Sequence, residues 1–284
     1  VSYVEALERA RAVMARDDAT VAPYAHTMLL EHGEKRPWSI VLLHGLTNNP
    51  GQFASFAPEL ARLGHNVFVP RMPYHGFADR LTNAIAKLTA DDLRRAADEA
   101  VDIALGLGER VAVLGISLGG IQTSYLAQYR EDVAVCVPLA PDFGVLQFPH
   151  VFVHMLAAVL SVLPNFFLWW DPRIREAQKP LTAYPRFATK ALLASLKIAQ
   201  EIYAAAQKVA PKAARISTVV NMHDPAVSNA VTKEVVKGWN AHRPSGIEYT
   251  ELAGLPENHD IIDPQNPLAA TDIVYPKLIK ILNL

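Results

Sequence analysis

The sequence predicts an α/β fold with a mostly parallel central sheet flanked by helices. Three observations carry that expectation. Ser39-Ile-Val-Leu-Leu43 is a continuous apolar run, as expected of a strand covered on both faces. Short runs of this kind alternate along the chain with segments of helical period. One of them, Arg110-Val-Ala-Val-Leu114, leads straight into Gly115-Ile-Ser-Leu-Gly-Gly120 and then a helix-like stretch, Ile121 to Tyr129. That is the pattern of a strand, a sharp turn and a helix. Parallel neighbours joined through helices imply right-handed crossovers.

The elements follow in order. Val4, Leu7, Ala10, Arg11 and Met14 fall at helical spacing and mark an amphipathic helix over residues 2–16. His26–His32 reads as a short strand, and 39–43 as the next. Gln52–Leu63 reads as a helix ended by Gly64. Asn66–Val69 is a strand, and Thr89 can cap a helix from Ala90 to about Leu105. Strand 110–114, helix 121–129 and strand 133–139 come next. Then strand and helix alternate again: strand Ile216–Asn221, helix 229–241, strand 247–252, and a C-terminal helix near 268–282. Between about Phe143 and Pro211 the alternation breaks. That stretch offers no good strand, several apolar helical runs, and Phe166, Phe167, Trp169, Trp170 and Tyr184. Residues 143–185 are expected to form a helical cap inserted after strand 133–139, with 1–142 and 186–284 as the core. Leu156, Leu160 and Leu163 share one helical face, which serves either core packing or a substrate pocket.

Composition narrows the function. The 284 residues are 51% hydrophobic and 19% charged, with a formal net charge of −1. Scattered lysines and arginines give no electrostatic case for nucleic acid or an anionic membrane surface. Phe148–Trp170 is apolar but carries Pro149, His150, His154, Pro164 and Asn165, so stable membrane insertion is not expected. A single cysteine, Cys136, sits in an apolar run and excludes an intramolecular disulfide. No signal peptide is visible; a cytoplasmic location is favoured, while a chain starting at Val1 leaves room for a trimmed export signal. There is no H-E-x-x-H, cysteine cluster, calcium-type acidic loop, G-x-G-x-x-G or Walker loop, so neither a metal nor a cofactor is expected.

The chemistry starts at Ser117. In G-x-S-x-G, flanking residues without bulk let strand and helix approach closely and leave the serine at a sheet tip above a helix N-terminus. That N-terminus favours an oxyanion. A serine hydroxyl needs a base, usually histidine, oriented by a carboxylate, and N–H donors for the developing charge. His44-Gly45-Leu46-Thr47 follows strand 39–43, and Gly45 permits a sharp turn there. The N–H groups of Leu46 and Leu118 are the expected oxyanion hole, with His44 supporting the turn or bordering substrate. Asp224, just past strand 216–221, is the candidate acid; Asp142, Asp260 and Asp263 are its rivals. His259, after strand 247–252, is the candidate base, with His223 as a competitor. His75, in Pro73-Tyr-His-Gly76, is placed to border the pocket.

The order Ser117, Asp224, His259 is that of a nucleophile elbow on an α/β-hydrolase sheet. From about residue 25, leaving out the cap, the chain resembles the α/β-hydrolases, and among them bacterial carboxylesterases and monoacylglycerol-lipase-like enzymes. The resemblance rests on Leu43-His-Gly-Leu-Thr-Asn-Asn-Pro50, Pro73-Tyr-His-Gly76, Gly115-Ile-Ser-Leu-Gly-Gly120, Asp224-Pro-Ala-Val227 and His259. It implies Ser117 as nucleophile, His259 as base, Asp224 as its orienter, and Leu46 and Leu118 as backbone donors. Tyr74 departs from the family, standing where relatives often have glycine. The expected activity is hydrolysis of hydrophobic carboxylic esters through an acyl-enzyme. Acyl transfer, perhydrolysis, amide cleavage, or low-turnover ligand binding on the same fold are the alternatives. The expected partner is a small-molecule ester bound by a monomer or homodimer. His44, Gly45, His75, Leu156, Leu160 and Trp169 are the residues expected around it.

Overall fold

A computed structural model describes residues 1–146 and 149–284. Among the described residues, seven strands form the main sheet: β1 (Met28–Leu30), β2 (Arg36–Leu43), β3 (Asn66–Val69), β4 (Gly108–Ile116), β5 (Val135–Leu139), β8 (Arg215–Asn221) and β9 (Ile247–Leu252). They lie in the order β1-β3-β2-β4-β5-β8-β9; β1 runs antiparallel to β3 and every other pairing is parallel. Among the described residues, eight helices are formed: α1 (Tyr3–Met14), α2 (Phe56–Arg62), α3 (Ala90–Leu107), α4 (Leu118–Tyr129), α5 (His150–Val162), α6 (Thr189–Ala206), α7 (Asn229–His242) and α8 (Thr271–Leu282).

The period-2 alternation of strand side chains sorts the core into two layers. Val41, Leu43, Val111 and Val113 face one side and pack with α1, α3, α4, α6 and α7. Their neighbours Ile40, Leu42, Ala112 and Leu114 face the other and pack with α2 and α8. Both faces are covered, which is why these strands carry no polar alternation. Thr89 caps α3 through a reciprocal pair with Asp92: its hydroxyl accepts from the Asp92 N–H, and the Asp92 carboxylate accepts from the Thr89 N–H.

Elements differ from expectation in a few places. The helix expected over 52–63 is a 3-10 turn, Pro50–Phe53, followed by α2. Strand β4 is longer at both ends than 110–114, and α4 begins at Leu118, immediately after the serine, rather than at 121. The stretch after Phe143 is not free of strands: β6 (Phe167–Trp169) pairs antiparallel with β7 (Arg186–Ala188). Strand β6 lies inside the unbroken apolar and aromatic run Phe166–Trp170, which shows no alternation in the sequence. Because β7 lies beyond residue 185, this ribbon straddles the boundary drawn between cap and core.

The face holding Leu156 and Leu160 packs on α6. Leu160 is buried with Val153, Ala157, Leu193 and Leu196, and Leu156 is half-buried at the edge of that cluster. Leu163 is exposed. The expected pocket lining at Leu156 and Leu160 therefore gives way to helix–helix packing.

Candidate active site

Sheet order brings the motifs to one edge. From β2 the chain goes to β3 on one side, then returns past β2 to β4 on the other. This is a topological switch point, where α/β sheets bind ligands beyond the carboxyl ends of their strands. Leu43 of β2 pairs with Gly115 of β4, so the His44–Thr47 turn and Ser117 emerge side by side. A Cβ added at Gly45 would lie 3.6 Å from Ser117 Cβ. Asp142 follows β5, Asp224 follows β8 and His259 follows β9, all at the same edge.

Ser117 sits at φ 58°, ψ −114°, in the left-handed half of backbone space. For a non-glycine residue this costs about 1–3 kcal/mol and persists only where surrounding contacts enforce it. Its N–H donates to Leu139 O at 2.9 Å, and its carbonyl accepts from Ile121 N–H and Asp142 N–H at 3.0 and 3.3 Å. The glycines around it are required by space. A Cβ on Gly119 would lie 2.0 Å from Leu43 O, and one on Gly115 would lie 2.2 Å from Gly119 O. The elbow can form because α4 is pressed directly onto the ends of β2 and β4.

The turn beside Ser117 is held from several directions. Met72 N–H donates to His44 Nε2 at 3.1 Å, so the ring carries its proton on Nδ1, which donates to Gly45 O at 3.0 Å. His44 is fully buried, and burial lowers its pKa well below the ordinary histidine value, with His75 adding to the effect. It stays neutral and supports the turn; with both nitrogens engaged by backbone it is not a substrate contact. Asn48 N–H also donates to Gly45 O, at 3.1 Å. A trans peptide sets its N–H opposite its carbonyl. Two donors on the Gly45 carbonyl thus fix the direction of the Leu46 N–H. Among the described residues, neither the Leu46 nor the Leu118 N–H donates a hydrogen bond.

Asp224 and His259 are brought together. His259 Nδ1–H donates to Asp224 Oδ2 at 2.7 Å, while Asp224 Oδ1 accepts from Ala226 N–H and Val227 N–H at 2.8 and 3.2 Å. Asp224 is buried and the imidazole partly exposed. Burial pulls the His259 pKa down, but the charge and hydrogen bond of Asp224, with Asp260 and Asp142, outweigh it and the net shift is upward. His223 is exposed and does not compete for Asp224.

The rival acids take other places. Asp142 is buried, accepts from Ser195 Oγ–H at 3.2 Å and lies close enough to His259 and Asp224 to feel both charges. Burial pushes its pKa up to about 6. Asp260 accepts from Gln52 Nε2 at 2.8 Å and from Asn48 Nδ2 at 3.2 Å. Gln52 Oε1 in turn accepts the Gly45 N–H at 2.8 Å. Gln52 therefore ties the turn near Ser117 to the loop carrying His259. Gln52 escaped sequence reasoning because an isolated amide carries no pattern, and Asn48 entered it only as a member of the Leu43–Pro50 run.

His75 is fully buried, its Nδ1 bonded to Pro73 O at 2.9 Å and its ring stacked on Tyr184, so it lies beneath its loop rather than on the surface of the site. Burial lowers its pKa to about 4. Tyr74 adopts φ 66°, the conformation for which glycine is usual, so the loop keeps its turn despite the departure from the family pattern. Trp169 is half-buried in β6. The neighbouring Trp170 is the one that reaches the turn: its Nε1–H donates to Thr47 Oγ1 at 2.9 Å. His150 and His154 lie on α5, where His150 stacks on Tyr203.

A cleft of about 660 Å³ lies behind the Tyr74 loop, between α1 and α3; none of the chemical groups above lines it. Its charges pair among themselves, as in Arg71–Asp17 and Arg16–Glu99, both at 2.6 Å. Among the described residues, no group of three or more His, Cys, Asp or Glu is placed to hold a metal, and no helix is long and apolar enough to cross a membrane.

An elbow serine at the switch point of a seven-stranded, mostly parallel sheet defines the class of protein. The family model for the alpha/beta hydrolase fold matches residues 39–239, and the chain belongs to that family. A thermostable monoacylglycerol lipase from Bacillus sp. (strain H-257) is 22% identical over 230 residues, covering 78% of this chain and 88% of the lipase. Among solved structures, one from work on the metagenome-derived lipolytic enzymes LipS and LipT superposes with a TM-score of 0.70 at 17% identity, over 93% of this chain and 99% of its own. The monoacylglycerol lipase of Paleococcus ferrophilus superposes with a TM-score of 0.67 at 17% identity, over 90% and 97%.

Proposed function

We propose that this chain is a serine hydrolase of carboxylic esters carrying an apolar acyl or alcohol group. The observation that carries the reading is Ser117, held at φ 58° at the head of α4, beside two backbone N–H groups that no described residue uses. Ser117 Oγ attacks the ester carbonyl, and its proton passes to His259. Because His259 gives its Nδ1–H to Asp224, the neutral ring offers Nε2 as the base. The tetrahedral oxyanion lies against the Leu46 and Leu118 N–H groups, reinforced by the N-terminus of α4. His259 then protonates the departing alcohol, and the acyl-enzyme is released by water that His259 activates. The likeness to lipolytic enzymes, and the absence of any charged residue from Phe143 to Trp170, support an apolar substrate.

The test is a rate series on p-nitrophenyl esters of increasing acyl length with Ser117→Ala beside wild type. Wild-type turnover that disappears in the variant supports the reading, and the best acyl length sizes the pocket. Turnover retained by Ser117→Ala would sink it. Labelling of wild type, but not the variant, by a fluorophosphonate checks that the nucleophile is activated.

A further inference from the structure

We infer that Trp170 is a positioning residue for the oxyanion turn, so that the segment inserted after β5 takes part in the chemistry. The inference rests on the ester-hydrolase reading. The Gly45-Leu46-Thr47-Asn48 turn closes through Asn48 N–H to Gly45 O, with Thr47 in its third position at φ 67°. A turn with positive φ at that position favours glycine or asparagine. Threonine, branched at Cβ, is unusual there and must be held by its surroundings.

The holding groups come from the inserted segment. Trp170 Nε1–H donates to Thr47 Oγ1 at 2.9 Å, and Tyr184 N–H donates to Thr47 O at 2.8 Å. Asn49 Nδ2 donates to Thr182 O at 2.9 Å. Thr47 Oγ1–H in turn donates to Leu46 O at 2.5 Å. Thr47 is buried, so its own oxygens are shielded from competing water. Trp170 thus orients the Thr47 hydroxyl, which grips the carbonyl of Leu46, the residue whose own N–H faces the oxyanion. On the opposite side Gln52 and His44 hold Gly45. Leu46 is clamped between a core anchor and an anchor supplied by the insertion.

The indole contributes a single donor at the edge of the site. Trp170 is 48% exposed and its ring lies 4.4 Å from that of Phe187, so Trp170→Phe keeps an aromatic ring beside Phe187 while removing the N–H donor with the pyrrole half of the indole. A small error in the placement of an oxyanion donor lowers rate more than binding.

The experiment measures kcat and KM on p-nitrophenyl butyrate for Trp170→Phe, Thr47→Val, Thr47→Ser and the double variant Trp170→Phe/Thr47→Val. Ser117→Ala serves as the control for the hydrolase reading. Each of Trp170→Phe and Thr47→Val is expected to lower kcat roughly tenfold, with KM changed less than about twofold. The double variant is expected to be no slower than the slower single one, because both remove the same bond. Thr47→Ser, which keeps the acceptor, is expected to recover most of the loss seen in Thr47→Val. Unchanged kcat in both single variants, losses confined to KM, or losses that multiply in the double variant would each overturn the inference. If Trp170→Phe unfolds, Trp170→Leu, alone and with Thr47→Val, takes its place with the same expected and overturning outcomes. Turnover insensitive to Ser117→Ala would instead reject the hydrolase reading, a result distinct from any of these.

Discussion

At the scale of residues, the site depends on charge placed beside one imidazole. Asp224 sits 2.7 Å from His259 Nδ1 and fixes its tautomer. In the proposed mechanism the upward pKa of His259 acts with a definite sign: the ring must be neutral to serve as base, so activity is expected to be lost as pH falls through its folded pKa. The acid limb of kcat/KM against pH is therefore expected above the ordinary histidine value of 6.5. Asp224→Asn removes the leading charge that raises it. The variant should lose roughly 10³- to 10⁴-fold in kcat, and the remaining activity should show its acid limb at lower pH. An unshifted limb would mean that Asp142 and Asp260 dominate. Ser117, the His44–Thr47 run, Asp224 and His259 could be singled out from the sequence because the proposed chemistry restricts which residue types can stand there, and the structure places them at one sheet edge. Trp170 could not be singled out, since the choice between Trp169, the last residue of β6, and Trp170, just past it, depends on how the end of that short strand meets the turn.

At the scale of elements, the elbow is a matter of backbone approach. Gly119 and Gly45 both stand near Ser117 but carry different demands. A methyl on Gly119 would collide with Leu43 O at 2.0 Å, and backbone cannot yield there. Gly119→Ala should destabilise the protein by about 3 kcal/mol and reduce the yield of folded material, read by thermal melting. A methyl on Gly45 finds 3.6 Å to Ser117 Cβ, ordinary contact. Gly45→Ala should melt close to wild type yet lose roughly tenfold in kcat/KM, because the methyl occupies space beside Ser117, the proposed nucleophile. Helix α5 shows the opposite economy, with Val151, Phe152, Met155, Val159 and Val162 all more than half exposed. Contiguous apolar surface of this kind is unusual on a water-facing helix. Met155→Lys with Val159→Lys should lower binding of a hydrophobic dye without lowering the melting temperature, since neither side chain is part of the core.

At the scale of the whole molecule, buried carboxyls set a pH dependence of stability. Burial raises Asp263 from 3.8 to about 6, with the neighbouring Asp260 charge contributing, and burial raises Asp142 to about 6 as well. Their folded pKa values lie above the unfolded ones, so the native state binds more protons between about pH 4 and 6. Stability from these groups is present below that window and lost as pH rises through it. Asp263→Asn should therefore reduce the loss in melting temperature between pH 4.5 and 7.5 relative to wild type; an unchanged loss would assign the effect elsewhere.

The strand runs, the helix caps, the elbow and the order of its chemical residues were determined by the sequence alone, because each is a local consequence of period, backbone freedom or reactivity. Tertiary structure decided the rest. It spent Leu156 and Leu160 on packing against α6, turned His44 and His75 inward as neutral supports, and linked Gln52 to Asp260 and Trp170 to Thr47. Those assignments join residues apart in sequence, by more than two hundred positions for Gln52 and Asp260, or choose between two faces of a helix or turn. Neither is settled until the sheet order has placed every element against its neighbours.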